Sequence, residues 1–113
     1  MKVHVHTDRN LVIDAELEAR IASNAAAALA NVSARLVRVD LHLTDQSAGR
    51  KSGAHMRCLA EAHPSGLPPV TVTRDAPDAR TALDGAVGGL AVTLAHTFER
   101  LADKSRHQTT HRP

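Results

Sequence analysis

Four stretches of the chain alternate between apolar and polar residues, the pattern of strands with one buried face. The first runs from Lys2 to Thr7, and the second, which is the clearest, from Leu36 to Thr44. A third runs from Ala54 to His63 and a fourth from Val70 to Thr73, each after a loop rich in turn-forming residues. The residues expected to point inward from the last three strands are Val37, Val39, Leu41, Leu43, Met56, Cys58, Ala60, Ala62, Val70 and Val72.

Two other stretches repeat apolar residues every three or four positions, which is the spacing of one helix face. The first begins at Ala15, behind the N-cap candidate Asp14, and extends to about Val32. The second has Pro77 in its first turn and extends to about Asp103. Its apolar stripe consists of Leu83, Val87, Leu90, Leu94, Phe98 and Leu101.

Glycines interrupt the second helix at a cost of about 1 kcal/mol each relative to alanine, which predicts a packing reason. Gly85 and Gly89 lie on one face and predict a close approach of the alanine-rich face of the first helix at residues 25–28. The segment from Gly85 to Gly88 also matches the GxxG pattern of KH domains, where it forms a phosphate-clamping loop. Here it lies inside a continuous apolar stripe, so helix packing is the favoured interpretation.

The element order is therefore strand, helix, three strands, helix. Hairpins join the last three strands as antiparallel neighbours, while the helix between the first two favours a parallel crossover. Because each strand alternates, one sheet face is buried, and both helices are expected to cover it. The predicted fold class is an α+β, β-α-β-β-β-α two-layer sandwich with a four-stranded mixed sheet and both helices on one face.

Composition excludes several classes of function. The chain has 113 residues, one phenylalanine, no tryptophan and no tyrosine, so modules that stack bases on aromatic platforms cannot be built from it. One cysteine excludes an internal disulfide framework. The N-terminus does not look like a signal peptide and no apolar run reaches the length of a membrane span, so a cytoplasmic location is expected.

The net charge of +2 arises in the C-terminal segment. From residue 99 onward there are four basic and two acidic residues, which leaves ten of each sign in 1–98. We expect a single domain at residues 1–104 followed by a flexible basic tail at 105–113. The neutral body means that the sequence pI near 9.2 overstates the case for a polyanionic partner.

Candidate sites for catalysis and metal binding are weak. The exposed sheet face is expected to carry His4, His6 and His42, which would form a metal site if the first two strands are neighbours. Polar residues are also what a solvated sheet face requires, so no metal and no cofactor are assigned. Cys58 points inward and is interpreted as an inert core thiol. Nothing resembles an acid–base pair, a nucleophile elbow or a phosphate loop, so an enzyme is not expected.

Basic residues that could contact RNA phosphates occur throughout the chain, although nearby acidic residues also allow an ordinary solvated surface. The candidates are Arg20, Arg35, Arg38, Arg50, Lys51, Arg80, Arg100, Lys104 and Arg106.

Three segments resemble the ribosome hibernation promoting factor family, which includes the ribosome-associated inhibitor. Residues 12–17 (VIDAEL) resemble the family's approach to its first helix, and residues 37–43 (VRVDLHL) resemble its second strand. Most specific are residues 78–84 (DARTALD), which are similar to the family's D-x-Y-x-A-I-D opening of the last helix. The resemblance, including the element order, spans about residues 1–104.

The resemblance implies a fold like the double-stranded RNA-binding domain with an added first strand. It also implies a short-form factor, a monomer or weak homodimer, that binds the small ribosomal subunit and its rRNA and silences translation under stress, without a DNA or membrane partner. Two features depart from the family: Arg80 replaces its tyrosine, and the last helix has no lysine or arginine between Arg80 and Arg100. The alternative is a diverged member that has lost RNA binding and acts as a protein-interaction domain.

Overall fold

A computed structural model describes residues 1–8, 11–46 and 55–110, with side chains described as far as residue 104 in the last helix. In chain order the elements are β1 (Lys2–Thr7), α1 (Ala15–Ala28), a 3-10 turn (Ser33–Arg35), β2 (Leu36–Asp45), β3 (Met56–Pro64), β4 (Val70–Ala76) and α2 (Ala79–Thr110). This order confirms the predicted one.

The four strands form one mixed sheet in the order β1-β2-β3-β4. β1 pairs with β2 in parallel, and β2 with β3 and β3 with β4 are antiparallel. Parallel pairing follows from the helical crossover between β1 and β2, because a connection of that length brings the chain back to the starting edge of the sheet. The α+β fold class is confirmed.

One face of the sheet packs against the helices to form the core. α1 contacts β1, and α2 lies across β3 and β4. The inward residues of β3 are all buried, as the alternation predicts, and Leu90, Leu94 and Phe98 of α2 are buried in the same cluster. α2 packs on β3, whose inward residues include the small Ala60 and Ala62.

Strand β2 departs from strict alternation at its start. Leu36 pairs with Pro64 and Arg38 pairs with His63, so Val37 is an extra residue between successive partners on β3. Leu36 is therefore buried, at 5% exposure, and Val37 points to solvent at 56%. The prediction that Val37 points inward is wrong because the bulge reverses the side-chain direction over one residue.

Both helices begin behind an aspartate that caps them. The backbone N–H of Leu17 donates to Asp14 Oδ1 at 2.7 Å, and that of Thr81 donates to Asp78 Oδ1 at 2.8 Å. Pro77 consequently lies just before α2 instead of in its first turn. α1 ends at Ala28, earlier than predicted, because the chain turns at Leu29 into the 3-10 segment.

Helix α2 continues to Thr110, past the end near Asp103 that its apolar stripe predicts. Leu101, the last residue of that stripe, is exposed. The division into a domain at 1–104 and a flexible tail at 105–113 stays a prediction. The predicted hairpin loop, which runs from Asp45 to Gly53, lies mostly outside the described residues.

Gly85 and Gly89 of α2 face the sheet, which corrects the predicted approach of α1. A Cβ on Gly89 would lie 2.8 Å from Val72 Cγ1, and one on Gly85 would lie 3.6 Å from Arg74 Cγ. Both positions therefore accommodate side chains of β4. α1 instead leaves an open groove beside α2, which Gly88 helps to line.

Among the described residues, no helix has both the length and the apolar composition that a membrane crossing requires.

Candidate nucleic-acid interface

Two of the candidate cations lie on opposite walls of a groove between α1 and α2. The groove has a volume of about 310 Å³, and its floor is formed by apolar residues of both helices such as Ile21 and Leu83. Arg20 lines it from α1 and Arg80 from α2. Arg80 Nε lies 3.9 Å from Asp84 Oδ2, and both side chains are mostly exposed, so this pair contributes little and leaves the guanidinium available.

A second group of cations lies towards the C-terminal part of α2. Arg100 and Lys104 line a shallow depression of about 380 Å³ together with the proline-rich segment 64–70 that precedes β4. Arg35 reaches the same helix, with its Cζ 4.1 Å from the ring centroid of Phe98. This contact is a cation–π interaction that orients the guanidinium while keeping its charge.

Two arginines of the exposed sheet face form ion pairs with neighbouring carboxylates. Arg38 Nε donates to Asp40 Oδ2 at 3.0 Å, so the candidate Arg38 lies on the face opposite the helices. Arg57 binds Asp75 across β3 and β4 with two hydrogen bonds, at 2.7 and 3.2 Å. The Arg57 hydrogen bond is the main reason that the pKa of Asp75 lies below its usual value.

Three of the predicted cations lie outside the residues whose side chains the structure describes. Arg50 and Lys51 fall in the segment outside the described residues, and the side chain of Arg106 is likewise not described. The nine predicted residues are therefore not one surface: two lie at the groove, three near the end of α2 and one on the sheet face.

Arg74 is a further cation on the helix side, and it is absent from the nine predicted RNA-contact residues. It follows the strand predicted to end at Thr73, but β4 continues to Ala76. Its side chain extends beside Gly85 and Gly89 of α2, and its Nη1 donates to the carbonyl of Thr73 at 3.0 Å. The two glycines opposite it are the signal in the sequence that a long side chain crosses this helix.

Helix α2 carries Arg80 near its start and Arg100 and Lys104 towards its C-terminal part, and these are its two basic regions. The surface that it exposes between them is neutral. Gly88, Val92 and Ala95 are exposed there, with Val92 at 57%. A phosphate backbone that followed the whole helix would meet no lysine or arginine over this stretch, because the cations of α2 lie at the groove and at its C-terminal part.

The three candidate histidines are not aimed at a common point. His6 and His42 pair across β1 and β2, and their rings stack with centroids 4.6 Å apart. The ring of His4 lies 6.3 Å from that of His6. Since the ligand lone pairs of imidazole lie in the ring plane, stacked rings direct them side by side and not at one ion.

A different set of polar groups converges around Asp40, which is only 9% exposed. Burial alone would raise the pKa of Asp40, but hydrogen bonds from Arg38 and His6 outweigh it and hold the pKa below its usual value. His63 approaches the same carboxylate from β3. Asp40 is therefore a buried carboxylate that keeps its charge.

Cys58 is fully buried in the sheet, which confirms its interpretation as a core residue. Burial raises the pKa of its thiol to about 11, so the reactive thiolate is scarce at neutral pH.

Solved structures with a similar fold include the following two proteins. A ribosomal subunit interface protein from Coxiella burnetii matches with a TM-score of 0.70 and 9% identity, over 88% of this chain and 99% of that one. The N-terminal domain of Protein Y from Thermus thermophilus matches with a TM-score of 0.65 and 19% identity, over 85% of this chain and 94% of that one. The sequence matches no protein-family model and no curated protein. The fold implied by the resemblance to the hibernation factors is thus confirmed.

Proposed function

We propose that this protein is a non-enzymatic, cytoplasmic factor that associates with the ribosome, binds the small subunit through rRNA phosphates and inhibits translation. The observation that carries the proposal is the likeness of its fold to a ribosomal subunit interface protein over 99% of that protein's length. Fold alone does not determine function. The positions of the cations supply the second, independent support.

The cations on the helix side of the molecule are arranged for contact with phosphates. Within the described residues, no carboxylate forms a close ion pair with Arg20, Arg35, Arg100 or Lys104. Cations without such partners lose little when they exchange water and counterions for phosphate. The arginines of the sheet face are bound to Asp40 and Asp75, so the helix side is the side proposed to meet RNA.

The number of these cations determines how salt affects binding. With four phosphate contacts, a fourfold rise in salt from 50 to 200 mM weakens binding by about 50- to 150-fold. Such a factor would occupy the subunit at low salt and leave it readily as salt rises. This behaviour fits a reversible inhibitor better than a permanent ribosomal component.

The test is co-sedimentation of the purified protein with small subunits, large subunits and whole ribosomes at 50 and 200 mM salt. We expect retention on the small subunit at the lower concentration and release at the higher. The double variant Arg100→Ala/Lys104→Ala should release at lower salt than wild type. Addition of the wild-type protein to a cell-free translation reaction should reduce synthesis at the protein concentrations that saturate the subunit.

The matched control is Arg57→Ala, which also removes an exposed arginine but from the sheet face, where Asp75 already binds it. It should sediment like wild type. Protein left at the top of the gradient at 50 mM salt would contradict ribosome binding. Equal loss in the control and in the double variant would contradict the helix-side interface.

The neutral middle of α2 favours a second candidate, a protein-interaction domain that has lost RNA binding. The exposed Val92 and the apolar groove between α1 and α2 would then be the contact surface. This candidate predicts no sedimentation with ribosomes at any salt concentration, so the same gradient distinguishes the two.

A further inference from the structure

Three potential metal ligands converge on the exposed face of the sheet where β2 meets β3. Asp40 and Glu61 are directly opposite in the antiparallel register, and His63 lies two residues beyond Glu61 on the same face. One donor atom from each residue lies within 4.8 Å of the other two. The strand pairing itself therefore holds the three groups together.

The imidazole nitrogen at the centre of this cluster has no hydrogen bond. His63 Nε2 lies 2.7 Å from Glu61 Oε1 and 3.2 Å from Asp40 Oδ2, yet it is buried and neither oxygen is oriented to accept a hydrogen bond from it. A buried polar atom without a partner is unfavourable. A buried imidazole nitrogen that lies close to two carboxylate oxygens is, however, a set of donor atoms that can bind a cation.

The two distances from the imidazole nitrogen to the carboxylate oxygens also suit a single ion. Ligand bonds to zinc are about 2.0–2.2 Å long, so two ligands at a tetrahedral angle lie roughly 3.3 Å apart. The separation between Nε2 and Asp40 Oδ2 meets this value, and that between Nε2 and Glu61 Oε1 is shorter by about half an ångström. The half-exposed Glu61 side chain can move by that amount by rotation about its own bonds.

We propose that Asp40, Glu61 and His63 form a binding site for a first-row divalent transition ion of the zinc class. One imidazole and two carboxylates are a mixed nitrogen and oxygen set, which suits Zn²⁺, Co²⁺ or Mn²⁺ better than Mg²⁺. His6 is the nearest further nitrogen ligand, since its Nε2 lies 3.5 Å from Asp40 Oδ1. This site is separate from the helix side and does not depend on ribosome binding.

Arg38 limits and orients the site. Its Nε donates to Asp40 Oδ2 at 3.0 Å, which holds the carboxylate in place as hydrogen bonds commonly do for ligating carboxylates. With His63 neutral, the two carboxylates and Arg38 sum to a single negative charge. A divalent cation is therefore still attracted, though less strongly than by two unpaired carboxylates.

The test is calorimetric titration of the full chain with Zn²⁺, and with Mg²⁺ for comparison, followed by visible absorption spectroscopy with Co²⁺. We expect one Zn²⁺ per chain, no heat with Mg²⁺, and d–d absorption from Co²⁺ bound by protein ligands. Absence of heat with Zn²⁺, or Mg²⁺ binding equal to that of Zn²⁺, would overturn the proposal.

Variants locate the ion among the eight histidines of the chain. Glu61→Gln and His63→Ala should each raise the Kd for Zn²⁺ by tenfold or more, with circular dichroism confirming that both variants fold. His42→Ala is the matched control because it removes an imidazole from the same sheet face, where it stacks on His6. Its Kd should equal that of wild type.

The side-chain NMR signals of His63 provide a second measurement that does not depend on variants. We expect Zn²⁺ to shift its Nε2 resonance more than that of any other histidine. If His63→Ala left the Kd for Zn²⁺ unchanged, or if only His42→Ala raised it, the ion would bind elsewhere and the proposed site would be contradicted.

Discussion

Adjacent residues in one helix can have opposite surroundings. Gly88 faces open space at the groove: apart from its chain neighbours and the backbone of its own helix, no atom lies within 4 Å of the position a Cβ would take. The same position on Gly89 is 2.8 Å from Val72 Cγ1 and 2.9 Å from Arg74 Nη2. The end of the arginine can move aside, but Val72 is buried and β-branched, so it has little freedom to yield. Gly89 is therefore required by packing and Gly88 is not.

This difference predicts opposite effects for two equivalent substitutions. Gly88→Ala should stabilise the protein by about 1 kcal/mol through helix propensity. Gly89→Ala receives the same benefit but overpacks the interface with β4, at a cost of about 1–3 kcal/mol. Urea unfolding of the two variants should place Gly89→Ala below Gly88→Ala in unfolding free energy. Equal unfolding free energies for the two variants would show that Val72 moves to make room for the added methyl group.

The buried thiol of Cys58 makes stability depend on pH in the alkaline range. Its pKa is about 11 in the folded protein, above the ordinary value of 9.0, so the contribution of the thiol to stability is present below pH 9.0 and is lost as pH rises from there to about 11. The loss should reach the order of 2 kcal/mol at pH 11. The chain contains no tyrosine that would titrate in the same range.

Measurement of the unfolding free energy between pH 8 and 11 tests this dependence. Cys58→Ala should flatten the profile, because lysines and arginines titrate equally in both proteins. An identical decline in the variant would assign the effect to another group. Alkylation of Cys58 by iodoacetamide should also be slow until the protein is unfolded.

At the scale of the element, one extra residue determines which side chains of β2 point to the core and which point to solvent. The bulge at Val37 allows Leu36 and Val39, three residues apart, to point into the core. Beyond it the strand alternates normally, which brings Asp40 opposite Glu61 on the solvent face. The proposed metal site therefore depends on the register that follows the bulge.

Matched substitutions of two valines test this arrangement. Val37→Thr changes a solvent-exposed side chain and should alter the unfolding free energy by no more than about 0.5 kcal/mol. Val39→Thr places a hydroxyl in the core without a partner and should cost about 1–3 kcal/mol. If the strand alternated strictly from Val37 onward, both substitutions would be equally harmful, and chemical denaturation would show it.

Over the whole molecule, charge is arranged by face. Arginines on the sheet side are bound to Asp40 and Asp75. On the helix side, within the described residues, Arg80 has a long, exposed ion pair with Asp84 at 3.9 Å, and Arg20, Arg35 and Arg100 have no carboxylate in an ion pair. A chain with a net charge of only +2 can thus present one side to a polyanion. The two basic regions on that side are separated by the neutral stretch of α2.

The effect of a substitution on the salt dependence of ribosome binding should therefore depend on which face of the molecule carries the substituted residue. Arg20→Ala removes a cation from the groove and should reduce the slope of log affinity against log salt by about 0.7–0.9. Arg57→Ala should leave the slope unchanged. The slopes can be measured by fluorescence titration of small subunits at several salt concentrations. A change of slope in Arg57→Ala alone would place the interface on the sheet.

Local patterns were sufficient to predict most of the fold. Alternation and helical periodicity depend on residues a few positions apart, so the order of elements, the buried face of β3 and the cap at Asp14 were predicted correctly. The bulge at Val37 was missed, because pairing with a distant strand creates it and no local signal marks it. The contact partner of Gly89 was predicted incorrectly for the same reason: spacing shows that a neighbour comes close but not which element supplies it.

The sequence by itself determined the composition of this protein, its elements and the residue types available for binding. Only the tertiary structure decided which side chains come into contact. It separated the predicted cations into distinct regions, since side chains spaced along one chain are distributed over both layers when the sheet and helices pack. It stacked His6 on His42 and gathered Asp40, Glu61 and His63, because strand register, a property of two segments together, decides which side chains become neighbours.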